Sequence, residues 1–137
     1  MADISQTPAN VRAGTGAVTE LATAGEAFDA GTPVYFKSTD GKYYKADAND
    51  ANAYNVAGIA LTGSSAADGL FVLQTAGVCC LGATISLGLI YVVSATVGKI
   101  APSGDLTSGW YPAIIGVGLT TGGNVQLICK SGTVAVA

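Results

Sequence analysis

The sequence contains no histidine. That removes the usual general base near neutral pH and the partner that a serine or cysteine nucleophile most often relies on. Charge is also scarce: Lys, Arg, Asp and Glu make up 11% of the 137 residues. Six scattered basic residues in a chain of net charge −3 form no basic stripe, so the electrostatic grip on phosphates that nucleic-acid binding needs is missing. Cysteine is limited to Cys79, Cys80 and Cys129, an odd number with two adjacent and no CxxC spacing. A disulfide between neighbours is strained, and three cysteines at these spacings, without histidine, do not make a zinc site. They read as buried free thiols, small apolar side chains in effect. No metal or cofactor is expected.

A basic start followed by an apolar core is also missing from MADISQTPANVR, so the expectation is synthesis in a cytoplasm and no secretion signal. Gly69 to Gly98 carries no charge, which invites a membrane reading. Gly77, Gly82 and Gly88, with Gln74, Thr75, Thr84 and Ser86, instead cut it into strand-length runs, so buried strands are expected and no membrane partner.

The motifs that carry chemistry are weak. Seven Asp and two Glu fall mostly in turn-like segments, with no pair set apart in apolar surroundings as an acid and base would be. Asp47 to Asn52 resembles the opening of a calcium loop, but Ala51 and Asn52 occupy positions that need a ligand and a glycine. Gly116 to Gly122 resembles a dinucleotide fingerprint with its last glycine one place late and no helix after it. These features exclude most hydrolytic schemes and point away from an enzyme.

What is present is β chemistry. Half the residues are hydrophobic, and 19 glycines accompany many Ala, Thr, Ser and Val, which favours short strands and tight turns over helices. The length suits one domain. So little charge leaves part of the surface poorly solvated, which implies an oligomer or a larger assembly.

The chain also contains one unit twice. Residues 25–42 laid over 82–99 pair Gly25 with Gly82, Gly31 with Gly88, Gly41 with Gly98 and Lys42 with Lys99. One residue further along the offset, VAGIALT (Val56 to Thr62) matches IIGVGLT (Ile114 to Thr120). Leu70 to Gly77 then corresponds in character to Val125 to Gly132, each an apolar strand closing on glycine. Each unit reads as a hairpin, turned by Asp40 and Gly41 in the first copy, then a polar connection with an irregular helical turn, a long apolar strand, and a second hairpin. The second hairpin turns through Gly63 to Gly69 in one copy and Thr121 to Asn124 in the other. Neither half would bury its apolar face alone. The expected fold is therefore all-β, a small barrel or sandwich built from two tandem repeats (about 25–77 and 82–132) within one domain, 21–137. Residues 1–20 form an extended N-terminal arm.

The segments AGEAFDAGTPVYFKSTDGKYYKADANDAN, VAGIALTGSSAADG and LIYVVSATVGKIAPSGDLTSGWYPAIIGVGL resemble tailed-phage head decoration proteins, also called capsid cement proteins. The resemblance rests on glycine spacing and strand character, from about Ala24 to Gly132. It implies a small β-rich subunit, commonly a homotrimer, made in the host cytoplasm. Such a subunit docks on the outer surface of the virion capsid and reinforces contacts between copies of the major capsid protein. It implies no cofactor and no catalytic residue. Other readings stay open: a tail, fibre or baseplate β module, which would share this composition, or a carbohydrate-binding module, suggested by the aromatics.

Two groups of residues are candidates for contact with capsid or subunit. Trp110 and Tyr111, like Tyr35, Tyr43 and Tyr44, have the chemistry to anchor an interface, to stack on sugars or to fill a core. Strand alternation forbids the hairpin tyrosines from all being core. The arm from Ala2 to about Ala17 has few large apolar residues. It is expected to be flexible alone and to order on a neighbour, with Ile4 and Val11 as anchors and Arg12 facing a carboxylate. The alternatives are that it frays or adds an edge strand to its own sheet.

Overall fold

The computed structural model describes residues 3–119 and 123–136. Its ten strands are β1 (Val11–Ala13), β2 (Val18–Thr23), β3 (Pro33–Lys37), β4 (Lys42–Lys45), β5 (Val56–Ala60), β6 (Leu70–Leu81), β7 (Ile90–Val93), β8 (Ile100–Pro102), β9 (Ala113–Gly118) and β10 (Asn124–Ser131). Two 3₁₀ turns, Pro8–Asn10 and Ser103–Asp105, are the only helical elements among the described residues. The second falls in the polar connection where an irregular turn is expected. The all-β class follows from composition: glycine and β-branched residues disfavour helix throughout.

All pairings between the strands are antiparallel, and the strand order β4-β3-β5-β6-β10-β9-β7-β8 reads the same from both ends. The two hairpins share one register: Val34 faces Lys45 and Tyr35 faces Tyr44, as Tyr91 faces Pro102 and Val92 faces Ala101. Both first strands carry a bulge at the equivalent place, between Val34 and Tyr35 and between Tyr91 and Val92. Gly31 and Gly88, each with positive φ, donate to Ala60 and Gly118 at 2.7 and 2.8 Å. Gly58 and Gly116 lie where a Cβ would run into the carbonyl oxygens of Gln74 and Gln126, so no larger residue fits either place.

That last equivalence corrects the expected alignment of the final strands. Leu73 and Gln74 face Ala60 and Ile59, while Val125 and Gln126 face Gly118 and Val117. Gln74 therefore corresponds to Gln126, and the apparent match of Leu70–Gly77 with Val125–Gly132 is three residues out of step. The strand beginning at Leu70 also does not close on Gly77. It continues to Leu81, bending where Gly77 has φ 84° and meets Gly16. The buried Gln74 amide donates to Ala76 O and Val78 O across the bend, at 3.0 and 2.7 Å. β6 is thus the last strand of one half and the first of the next. Its early residues pair with β2 and β5, its later ones with β1 and β10.

The sheet curls into a half-barrel with two apolar interiors. The smaller, in the first half, holds Ala22, Ala24, Phe28, Val34, Ala60, Phe71 and Leu73. Its curl is closed by Gly25 N–H donating to Tyr43 O at 2.7 Å. The larger runs from Val56 and Ile59 across to Cys79, Leu81, Ile85, Tyr91, Ile100, Ile115 and Val125.

The N-terminal arm is extended, and it lies on its own domain. Ile4 N–H donates to Ile100 O at 2.9 Å and Thr7 N–H to Gly82 O at 2.7 Å, so the segment spans from β8 to the end of β6. Ser94 Oγ donates to Asp3 at 2.6 Å, and the Gln6 amide donates to Gly31 O and Leu81 O, both at 2.9 Å. β1 then pairs with β6. The physical reason is that hydrogen bonds, joined by the apolar contact of Ile4, hold this segment: the curled sheet leaves acceptors that its donors satisfy. Met1 and Ala2 of the expected arm, and Thr121 and Gly122 of the expected second turn, lie outside the described residues.

Candidate interaction surface

The sequence-selected residues do not come together in one site. Ile4 packs against the larger core, and Val11 is half-buried with its side chain close to Gly31 and Gly82. Arg12 is exposed, and its guanidinium donates to Asn10 O at 3.4 Å. Trp110 packs on the larger core from its margin. It is framed by Val136, which donates to Trp110 O at 2.7 Å and accepts from Gly109 N–H at 2.8 Å. Tyr111 donates its N–H to Ala48 O at 2.7 Å and stacks on Tyr54, with ring centroids 4.2 Å apart and planes 9° from parallel. Tyr54, alone in a polar connection, gave no signal in the sequence, because its partner is more than fifty residues away.

The hairpin of β3 and β4 sorts its aromatics by face, as alternation requires. On the inner face Phe36 pairs with Tyr43, and Tyr43 meets Phe71 edge-on at 5.8 Å. The Tyr43 hydroxyl donates to Glu20 at 3.3 Å. On the outer face Tyr35 lies 6.0 Å from Tyr44, and Lys37 Nζ sits 5.0 Å over the Tyr44 ring. The Tyr44 hydroxyl donates to Asp40 at 2.5 Å, while Asp40 also accepts from Lys42 N–H at 3.0 Å. Through that hydrogen bond the Tyr44 hydroxyl is pushed up to about 12 and the Asp40 carboxyl is held below its usual range. Lys42 pairs with Asp68.

Apolar side chains also reach solvent. Leu21 on β2 faces Val72, and Leu70 on β6 faces Thr23, so the two leucines are diagonal neighbours on one sheet face. They are 68% and 63% exposed.

Chemical reactivity is limited. Burial pushes the Cys79 thiol up to about 12 and Cys129 to about 11, which keeps both protonated and poor nucleophiles. Among the described residues no three of Cys, Asp and Glu gather as a metal site would need, and no helix is long and apolar enough to cross a membrane. Comparison with protein-family models, with curated proteins and with solved structures gives no match.

Proposed function

We propose that this chain is a structural virion protein that decorates the outside of an assembled phage capsid and stabilises contacts between major capsid subunits. The observation that carries the reading is the exposed pair Leu21 and Leu70, apolar side chains presented on a rigid sheet in a chain with little charge to solvate the rest. A head packed with DNA pushes its shell outward, and a subunit that bridges neighbours raises the cost of their separation. Individually weak contacts suffice, because many copies on a fixed lattice bind with avidity. A homotrimer fits this role, since closed threefold contacts match the local symmetry of such a lattice.

Electron microscopy of the source particle with the protein present and absent tests the reading. Density lost from the capsid surface is expected. Density lost only at the tail would replace decoration with a tail, fibre or baseplate role.

A further inference from the structure

The outer face of the first hairpin borders a groove of about 500 Å³, between β3 and the connection 46–55. Tyr35, Phe36, Lys37, Ser38, Thr39, Asp50 and Asn52 line it. Two aromatic residues, one carboxylate, one amide, two aliphatic hydroxyls and one ammonium are an unusual set for a surface cleft. Its one carboxylate and one ammonium offset each other, and its amide and hydroxyls suit a ligand rich in hydroxyl groups. A sugar presents the same pattern in reverse: hydroxyls around its rim and an apolar C–H face that stacks on an aromatic ring. The volume accommodates one or two sugar units.

Both walls are held in place before any ligand arrives. In the connection, Asp47 accepts Asn49 N–H at 2.9 Å and Asp50 accepts Asn52 N–H at 2.8 Å, two side-chain-closed turns in succession. Asp47 N–H closes the loop on Ala53 O at 3.0 Å. On the hairpin, Tyr35 lies beside Tyr44, which is fixed by Asp40 and packed on Gly25, where no side chain would fit. Such order lowers the entropy lost on binding.

The repeat provides an independent argument. The second hairpin has the same register, and there Tyr35, Lys37 and Tyr44 are replaced by Val92, Ser94 and Ala101, all buried. The fold does not require aromatic and charged residues at these positions. We propose that this groove binds a neutral saccharide, with Tyr35 stacking on a sugar ring and Asp50 and Asn52 bonding its hydroxyls. The proposal goes beyond attachment to a capsid and does not depend on it: a decorating subunit would carry this site on a face of its own.

Titration of the full chain with neutral oligosaccharides of glucose, galactose and mannose, followed by amide NMR shifts, tests it. Saturable shifts confined to residues 35–39 and 50–52 are expected with at least one of the three. Tyr35→Ala and Asp50→Ala should each weaken binding at least about tenfold, while Tyr35→Phe retains the ring and most of the affinity. Asn52 is exposed and enters its turn through the backbone N–H, so Asn52→Ala, which should weaken binding likewise, keeps the fold and remains informative even if Tyr35→Ala or Asp50→Ala disturbs a wall. No saturable shift with any neutral sugar would overturn the proposal. So would shifts that map elsewhere, affinity indifferent to Asp50→Ala, or binding only to a heparin-derived sulfated oligosaccharide.

Discussion

Position for position, Val34, Phe36 and Tyr43 of the first half correspond to Tyr91, Val93 and Ile100 of the second, in identical hairpin register. In the second half all three are sealed inside the larger core. In the first only Val34 is fully buried, while Phe36 is 50% exposed and Tyr43 reaches the surface to meet Glu20. The outer faces diverge in the same direction, from buried Val92 and Ala101 to half-exposed Tyr35 and Tyr44. What the halves share is backbone: positive-φ glycines, a bulge, and glycines pressed against a neighbouring carbonyl. Glycine positions set the topology, and the side chains are then free to differ. The hairpin of one half is sealed inside the core, and that of the other meets solvent.

The strongest way to break this picture is to empty each interior in turn. Phe71→Ala in the first half should cost about 3–5 kcal/mol and Ile115→Ala in the second about 2–5 kcal/mol, since both side chains are fully buried. Because β6 belongs to both halves, urea unfolding of either variant should remain a single transition by circular dichroism and tyrosine fluorescence alike. Two separated transitions would mean that the halves are independent domains.

Removing residues 3–13 should cost about 2–4 kcal/mol, through the lost burial of Ile4 and the orphaned acceptors on Ile100 and Gly82. The loss should be local. Hydrogen exchange is expected to quicken in β8 and the end of β6 and to stay slow in β5, whereas an unchanged melting temperature would mean that the arm contributes nothing to the second half.

Gln74 and Gln126 occupy equivalent places, but only Gln74 is buried and bonded across a bend. Gln74→Ala should cost about 1–3 kcal/mol by removing both bonds across the bend and leaving a void at a fully buried position. Gln126→Ala, on an exposed position, should stay within about 0.5 kcal/mol. Equal effects in chemical denaturation would erase the distinction between the two strands.

The smallest effect concerns the Asp40–Tyr44 pair, which the second hairpin lacks. Tyr44 is raised from 10.0 to about 12, so its contribution to stability is complete below pH 10 and fades as pH rises through about 12. Asp40 is lowered, so its contribution is present above the ordinary carboxylate range and fades as pH falls through its folded value. Asp40→Asn should bring the Tyr44 ring titration, followed by NMR, back down toward 10. A titration that does not move would show that the short hydrogen bond is not what raises it.

Much of this architecture is legible in the sequence, and the reasons are specific. Gly31, Gly41, Gly88 and Gly98 all have positive φ, a demand that few other residues meet, so their spacing revealed the repeat and both hairpins. The register of β6 and β10 was not legible. β6 is largely buried on both faces, and an apolar run of that kind carries no alternation by which to place it. The arm misled for the opposite reason: its composition is that of a loose segment, and its attachment runs through main-chain hydrogen bonds that composition does not record. Of the candidate contacts, Ile4 was selected as an anchor on a neighbouring subunit or capsid, and it packs against its own core. The groove beside Tyr35 was not visible, because its walls come from a hairpin and a connection whose proximity only the fold creates.

The path of the arm also fixes an order of events during synthesis. Ile4 has no acceptor until the chain has been made as far as Ile100, and Thr7 none until Gly82. The first half of the sheet, from β2 to the early part of β6, can pair within itself long before that. The closure of so long a loop is entropically costly and rewards the chain only once β8 is in place. The segment nearest the start of the chain is therefore among the last to settle, and until it does β8 and the end of β6 present open strand edges to any neighbouring chain on the ribosome.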